Sequence, residues 1–231
     1  MENLKCIMFD CMETLIDMTE LPDKKDYALW AFEGSGCEEY FKDFAEFYED
    51  YKAAGESILA KIPEYKEYGF KEQYEYIARK KGINLKTETK MVELLLNNFL
   101  KNYRKRCYVD KNVKDVLEYL NGRYKLGVVS NFKVKGAIRD LLEYTGIKSY
   151  FEFVINSAEE GWSKPHPRIY TNAVKTSGFV FDEIVFIGDD FVNDYLGPRR
   201  MGINSIFFDK KRCAPEDCSK INEFLELKNI L

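Results

Sequence analysis

The chain has 231 residues, 45% hydrophobic and 32% charged, with a formal net charge of -4. That length allows one large domain or a core carrying a smaller insertion, and the acidic balance supplies no basic excess for a phosphate backbone, so nucleic acid is not an expected partner. No apolar run reaches the length of a membrane span, the six cysteines form no CxxC pair, and a single histidine leaves little material for a His-based metal site or triad, so a reduced, cytoplasmic setting with no membrane contact is expected.

The first predicted element is LKCIMFD, a near-continuous apolar run ending in Asp10, as a strand buried on both faces of a parallel sheet reads. From about residue 18 to about residue 105 no strand-like run appears. DKKDYALWAFEGSG predicts a short helix. EEYFKDFAEFYEDYK predicts a second, with Tyr40, Phe41, Phe44, Phe47, Tyr48 and Tyr51 on one face. EYKEYGFKEQYEYIARKKG predicts a third, bent at Gly69 and ending at Gly82. KTETKMVELLLNNFLKNY predicts a fourth, with Val92, Leu95, Leu96, Phe99 and Tyr103 on one stripe. These aromatic stripes read as the segment's own core. Beyond it, helix and strand alternate: DVLEYL is helical, YKLGVVS a strand, and KGAIRDLLEYTG a helix stopping at Gly146. FEFVINS is a strand, PRIYTNAVKTSG a helix with Pro167 in its first turn and Gly178 at its end, and EIVFIGDD and NSIFFD are strands. This alternation predicts an α/β fold built on a doubly wound parallel sheet. The expected division is an α/β core from residues 1–17 and 106–231 and an all-helical insertion over 18–105.

In such sheets, sites form outside the carboxyl ends of the strands. Asp10 lies there after the first strand, Ser130 and Asn131 after the second, Lys164 before the Pro167 helix, and Asp189, Asp190 and Asp194 after the fourth. Carboxylates suit a hard dication such as Mg²⁺. Lys164 brings a positive charge for phosphate oxygens and for Asp10, the Ser130 hydroxyl a donor, and Asp10 a nucleophile for phosphorus. Taken singly, each has an ordinary reading as a helix cap, a surface lysine or a loop acid. Their joint placement is what argues for a site.

FDxxxTL, SN after a strand, KPxPRIY and hhGDDxxND, in that order, resemble the motifs of the haloacid dehalogenase (HAD) superfamily, and the helical insertion resembles its type-1 cap. The resemblance implies a HAD-like Rossmannoid core and a Mg²⁺-dependent, phosphatase-like hydrolysis of a small phosphorylated metabolite through an aspartyl-phosphate on Asp10. It further implies catalysis by Asp10 and Lys164, substrate binding by Ser130, Asn131 and Lys164, and a metal held by Asp10, the Met12 carbonyl, Asp189 and Asp194, with Thr14 bracing the first loop. The superfamily's phosphatases carry a second Asp at position 12, as acid and base. A thioether has no proton to give, and Glu13, Asp190 and His166 are the candidates to replace it. Two other readings stand beside the phosphatase: a dehalogenase or phosphonate hydrolase of the same superfamily, and a phosphate-binding or regulatory protein without turnover. The intact acids of GDD weigh against a dehalogenase.

Overall fold

A computed structural model of the protein describes residues 3–231. The chain opens with β1 (Cys6–Phe9) and passes through a two-residue strand, β2 (Asp17–Met18). Four helices follow: α1 (Lys24–Phe32), α2 (Phe44–Leu59), α3 (Phe70–Lys80) and α4 (Leu85–Arg104). The chain returns through β3 (Cys107–Tyr108) and continues as α5 (Lys111–Leu120), β4 (Lys125–Ser130), α6 (Ala137–Tyr144) and β5 (Phe153–Asn156). A short α7 (Ser157–Glu160), α8 (Pro167–Ser177) and β6 (Ile184–Gly188) lead to a π-helical turn over Phe191–Leu196 and a short α9 (Gly197–Arg200). β7 (Asn204–Phe208), β8 (Lys220–Ile221) and α10 (Leu227–Ile230) complete it. Two compact units result: the residues up to Met18 with Tyr108–Leu231, and Thr19–Cys107. β2 and β3, where the chain leaves and re-enters the first unit, form a separate two-stranded sheet.

The first unit is an α/β unit built on a six-stranded sheet in the order β5-β4-β1-β6-β7-β8, with parallel pairs throughout. Every residue of β1, β5 and β6 is buried, which is why these strands read as unbroken apolar runs rather than alternating ones. On one face Met8, Val129, Ile155 and Phe186 pack against Ile169, Tyr170 and Ala173 of α8. Gly127 in β4 is required by a close approach: a Cβ there would overlap the Phe153 ring of β5. The sheet has a sixth strand, β8, where the sequence reading has five; two residues carry no periodicity to detect.

The second unit is helical, and its core is aromatic. Phe32 stacks on Phe47 at 4.8 Å, and Phe70 meets Phe99 edge-on at 4.9 Å. Tyr27 packs against Phe99 and Tyr103 at 5.7 and 6.0 Å. Burying each such ring contributes about 1.5–3 kcal/mol, so the stripes are this unit's own core. Two helix boundaries depart from expectation. The helix expected across residues 38–52 breaks before Phe44, because the Asp43 side chain accepts the Glu46 N–H at 3.0 Å and caps a fresh N-terminus. Gly69 is the N-cap of α3 rather than a bend within it, and its N–H donates to the Glu72 carboxylate at 2.9 Å. Among the described residues, no helix is long and apolar enough to cross a membrane, and all six cysteines are free thiols.

Candidate active site

The sheet order itself selects where a site forms. From β1 the chain builds β4 and β5 to one side, then crosses to build β6, β7 and β8 on the other. The crevice lies at that reversal, outside the carboxyl ends of β4, β1 and β6. Asp10 follows β1 and is fixed to β6 by its N–H, which donates to the Ile187 carbonyl at 2.9 Å. Ser130 closes β4 and Asp189 follows β6.

Lys164 arrives from the loop between α7 and α8. It is 4% exposed, and its Nζ donates to Asp10 Oδ1 at 2.6 Å, Asp194 Oδ1 at 2.7 Å and the Val129 carbonyl at 2.9 Å. An ammonium has three protons to give, and all three are used. Asn131 holds this loop by its backbone: its Oδ1 accepts the Lys164 N–H at 2.8 Å, and its Nδ2 donates to the Lys164 carbonyl at 3.0 Å. The Asn131 amide is therefore committed to Lys164 while the residue also lines the crevice. Asp194 is carried by the π-helical turn, a feature frequent at functional sites; its Oδ2 accepts the Asp190 N–H at 3.0 Å. The buried Tyr170 phenol donates to the Asn193 carbonyl in that turn at 2.5 Å.

The loop after Asp10 folds back on itself. Leu15 and Ile16 N–H groups both donate to the Cys11 carbonyl at 2.9 Å, and Glu13 N–H donates to the Ile16 carbonyl at 2.8 Å. Glu13 takes a left-handed φ of 59° in doing so, a conformation that strains any residue with a Cβ. Thr14 Oγ1 donates to Asp189 Oδ1 at 3.2 Å, tying this loop to the end of β6.

These segments surround one cavity of about 190 Å³, lined by Asp10, Met12, Ser130, Asn131, Lys164, Asp189, Asp190, Asn193 and Asp194. It thus brings together every residue singled out at the strand ends. Glu13 and His166 do not line it. His166 caps α8, its Nδ1 accepting the Arg168 N–H at 3.2 Å, and its ring stacks on Trp162 at 4.0 Å. Sequence reasoning assigned no role to Gly188, Asn193 or Tyr170. Each stands inside a quoted motif, but nothing in a linear pattern says which side chain or backbone group it meets. Gly188 has no room for more than hydrogen, since a Cβ there would overlap the Asp194 side chain.

One ammonium faces three carboxylates here. Burial, then the charge of Asp10, pushes the Asp189 carboxyl up to about 7, with the Thr14 hydrogen bond opposing. Burial also pushes Asp194 up to about 8, against the pull of Lys164. Lys164 is held well above the ordinary lysine value by Asp10 and Asp194, which outweigh the cost of burying it. A second cation is what this donor set lacks. Ligand oxygens of Asp10, Asp189 and Asp194 all lie within 4.8 Å of one another, and an all-oxygen set of this kind fits a hard divalent ion.

A family model for haloacid dehalogenase-like hydrolases matches residues 4–202. Over 81 residues the chain is 40% identical to haloacid dehalogenase-like hydrolase domain-containing protein 3 of Bos taurus, which is 35% of this chain and 32% of that protein. The chain therefore spans about a third of the length of such vertebrate relatives. It is 26% identical over 210 residues to a glyceraldehyde 3-phosphate phosphatase of Pyrococcus abyssi, covering 89% of this chain and 81% of that one. A 2-haloacid dehalogenase from Pseudomonas syringae shares the fold with a TM-score of 0.76 at 17% identity, over 98% of this chain and 97% of that one. A HAD phosphatase from Thermococcus onnurineus does so with a TM-score of 0.66 at 21% identity, over 98% and 97%. With the family model spanning most of its length, the chain belongs to the haloacid dehalogenase-like hydrolases.

Proposed function

We propose that the protein is a Mg²⁺-dependent phosphohydrolase, transferring a phosphoryl group from a small phosphorylated metabolite to Asp10 and then to water. The observation that carries this reading is the convergence of Asp10, Asp189 and Asp194 within 4.8 Å around a single buried lysine. Three carboxylates against one ammonium would repel an anionic substrate unless a dication joins them. Asp10, Asp189 and Asp194, with the Met12 carbonyl, would hold that ion. When bound, it offsets the carboxylate charge and polarises phosphoryl oxygens.

The chain's own groups do the rest. Lys164 fixes Asp10 through one oxygen and supplies positive charge to the phosphoryl group. Ser130 presents its hydroxyl at the end of β4, Asn131 keeps the Lys164 loop in place, and Asp10 attacks phosphorus. The acidic set favours phosphoryl transfer over carbon–halogen cleavage, for which a cation-binding cluster has no use. The likeness to the Pyrococcus and Thermococcus proteins, both phosphatases, supports the same choice.

The test is phosphate release across a panel of phosphorylated metabolites, with Mg²⁺ and with chelator. Asp10→Asn is expected to lose turnover by several orders of magnitude, as removal of a covalent nucleophile does, and chelator to abolish it reversibly. Undiminished turnover in Asp10→Asn would remove the nucleophile assignment.

A further inference from the structure

Phosphoryl transfer onto Asp10 leaves a question of protons. An alkyl phosphate releases an alkoxide, whose conjugate acid has a pKa near water's value of about 16, and that oxygen needs a proton as it departs. A carboxylate released from an acyl phosphate, with a conjugate acid near pKa 4, does not.

Any donor has to come from the cavity's own lining. Met12 lines it and has no proton to give. Lys164 has its three protons committed to Asp10, Asp194 and Val129, and its charge is locked in place by two carboxylates. Asp189 and Asp194 are, on the reading above, cation ligands. Asp190 Oδ1 accepts the Val192 and Asn193 N–H groups at 2.9 and 2.8 Å, so that oxygen is committed to capping the turn. Ser130, Asn131 and Asn193 are neutral. Of the two protonatable residues nearest in sequence, Glu13 lies outside the cavity lining and His166 is occupied in capping α8 and stacking on Trp162. Among the described residues that line this cavity, none is an acid without a role as nucleophile, cation ligand or cap.

We infer that the substrates are acyl phosphates and other phosphoanhydrides rather than alkyl phosphate esters, and that the aspartyl-phosphate on Asp10 is long-lived. This rests on the phosphohydrolase reading and narrows it. In the first half-reaction an Asp10 oxygen bonds to phosphorus, the bond from phosphorus to the acyl oxygen breaks, and the electron pair leaves on the carboxylate with no proton moved. In the second, a water oxygen bonds to phosphorus and the bond to Asp10 breaks. Asp10 recovers its carboxylate, and both protons of the water leave on the phosphate, one still on the attacking oxygen and one moved to another phosphate oxygen. No cavity group takes up the proton that the attacking oxygen sheds, so this second step is the slow one.

The experiment uses the full chain with Mg²⁺, offered acetyl phosphate, a series of aryl phosphates of graded leaving-group acidity, and glycerol 3-phosphate. Phosphoryl transfer to Asp10 is read as kcat/KM from phosphate release, because kcat under a slow shared second step does not depend on the leaving group, and Asp10 occupancy is read by intact mass after acid quench. General acid–base help is worth about 10²–10⁴-fold. The expected result is a kcat/KM that falls steeply with leaving-group basicity, acetyl phosphate exceeding glycerol 3-phosphate by at least about 10²-fold. A one-phosphoryl mass gain should accumulate during turnover and be absent in Asp10→Asn. Met12→Asp should flatten the dependence and shorten the intermediate's lifetime; Met12→Asn, equally polar but without a proton to give, should do neither. The wild-type series stands alone if Met12→Asp fails to fold. Labelling of Asp10 with a kcat/KM that does not depend on the leaving group would overturn the inference and leave the phosphohydrolase reading intact. No labelling and no Asp10-dependent turnover of any phosphate would overturn both.

Discussion

Gly188 shows how much of the site rests on an atom that is missing. A Cβ at this position would overlap the Asp194 carboxylate group, and the neighbour that must give way is neither at a surface nor free to swing: both its oxygens are hydrogen-bonded, one to Lys164 and one to the Asp190 N–H. Gly188→Ala is therefore expected to displace Asp194 and loosen Lys164 with it. Losing the orientation of a metal-site carboxylate typically costs about 10–100-fold in affinity, so Mg²⁺ binding by calorimetry should weaken by that factor while circular dichroism stays unchanged. An affinity equal to wild type would mean that Asp194 has no part in holding the ion. Asn131 teaches the same lesson from the other side. Its place after a strand was legible, because strand ends follow from where an apolar run stops. Its partner was not, because the two hydrogen bonds join segments 33 residues apart in sequence.

At the scale of elements, the π-helical turn Phe191–Leu196 carries Asp194 and is tied to α8 through Tyr170. That phenol is buried, it sits where Gly197 leaves room for it, and its ring packs edge-on against Phe186. Tyr170→Phe keeps the ring and orphans the Asn193 carbonyl, an expected loss of about 1–3 kcal/mol in urea unfolding. A severalfold weaker Mg²⁺ affinity should accompany it if Asp194, which the turn carries, is the ligand proposed; lowered stability with unchanged affinity would reduce Tyr170 to a packing residue. Why α8 was readable and the turn was not has a physical reason. α8 has Pro167 at its start, Gly178 at its end and an apolar stripe between, all local signals. A π turn follows from hydrogen bonds that local propensity does not encode. The same limit explains the helix of residues 38–52: its aromatic spacing was right for Phe47 and Tyr51, both buried, but Asp43 capped the chain anew after Phe41. β2, β3 and β8, two residues each, were beyond any pattern.

For the molecule as a whole, the site's charge makes folding, protons and the cation interdependent. In the metal-free protein the Asp189 and Asp194 carboxyls keep their protons up to about 7 and about 8, against an ordinary value of 3.8. Between those limits the native state binds more protons than the unfolded chain, and stability must then fall as pH rises. Below the ordinary value both states are protonated and the contribution is absent; above about 8 both carboxylates are ionised and the penalty is complete. A cation reverses the preference, because a ligand carboxyl has to shed its proton to bind. Thermal melts in chelator should therefore shift downward from about pH 5 to about pH 8.5, whereas the increment in melting temperature on adding Mg²⁺ should grow over the same range. Calorimetry in buffers of different ionisation enthalpy should register proton release on Mg²⁺ binding near neutral pH. Hydrogen exchange should place the added protection in β1, β6 and the turn at Phe191–Leu196, the segments that carry the three acids. A Mg²⁺ increment that is independent of pH, with no protons released, would mean that the ion binds elsewhere, since Asp189 and Asp194 cannot take part in holding a dication without giving up the protons that burial made them keep.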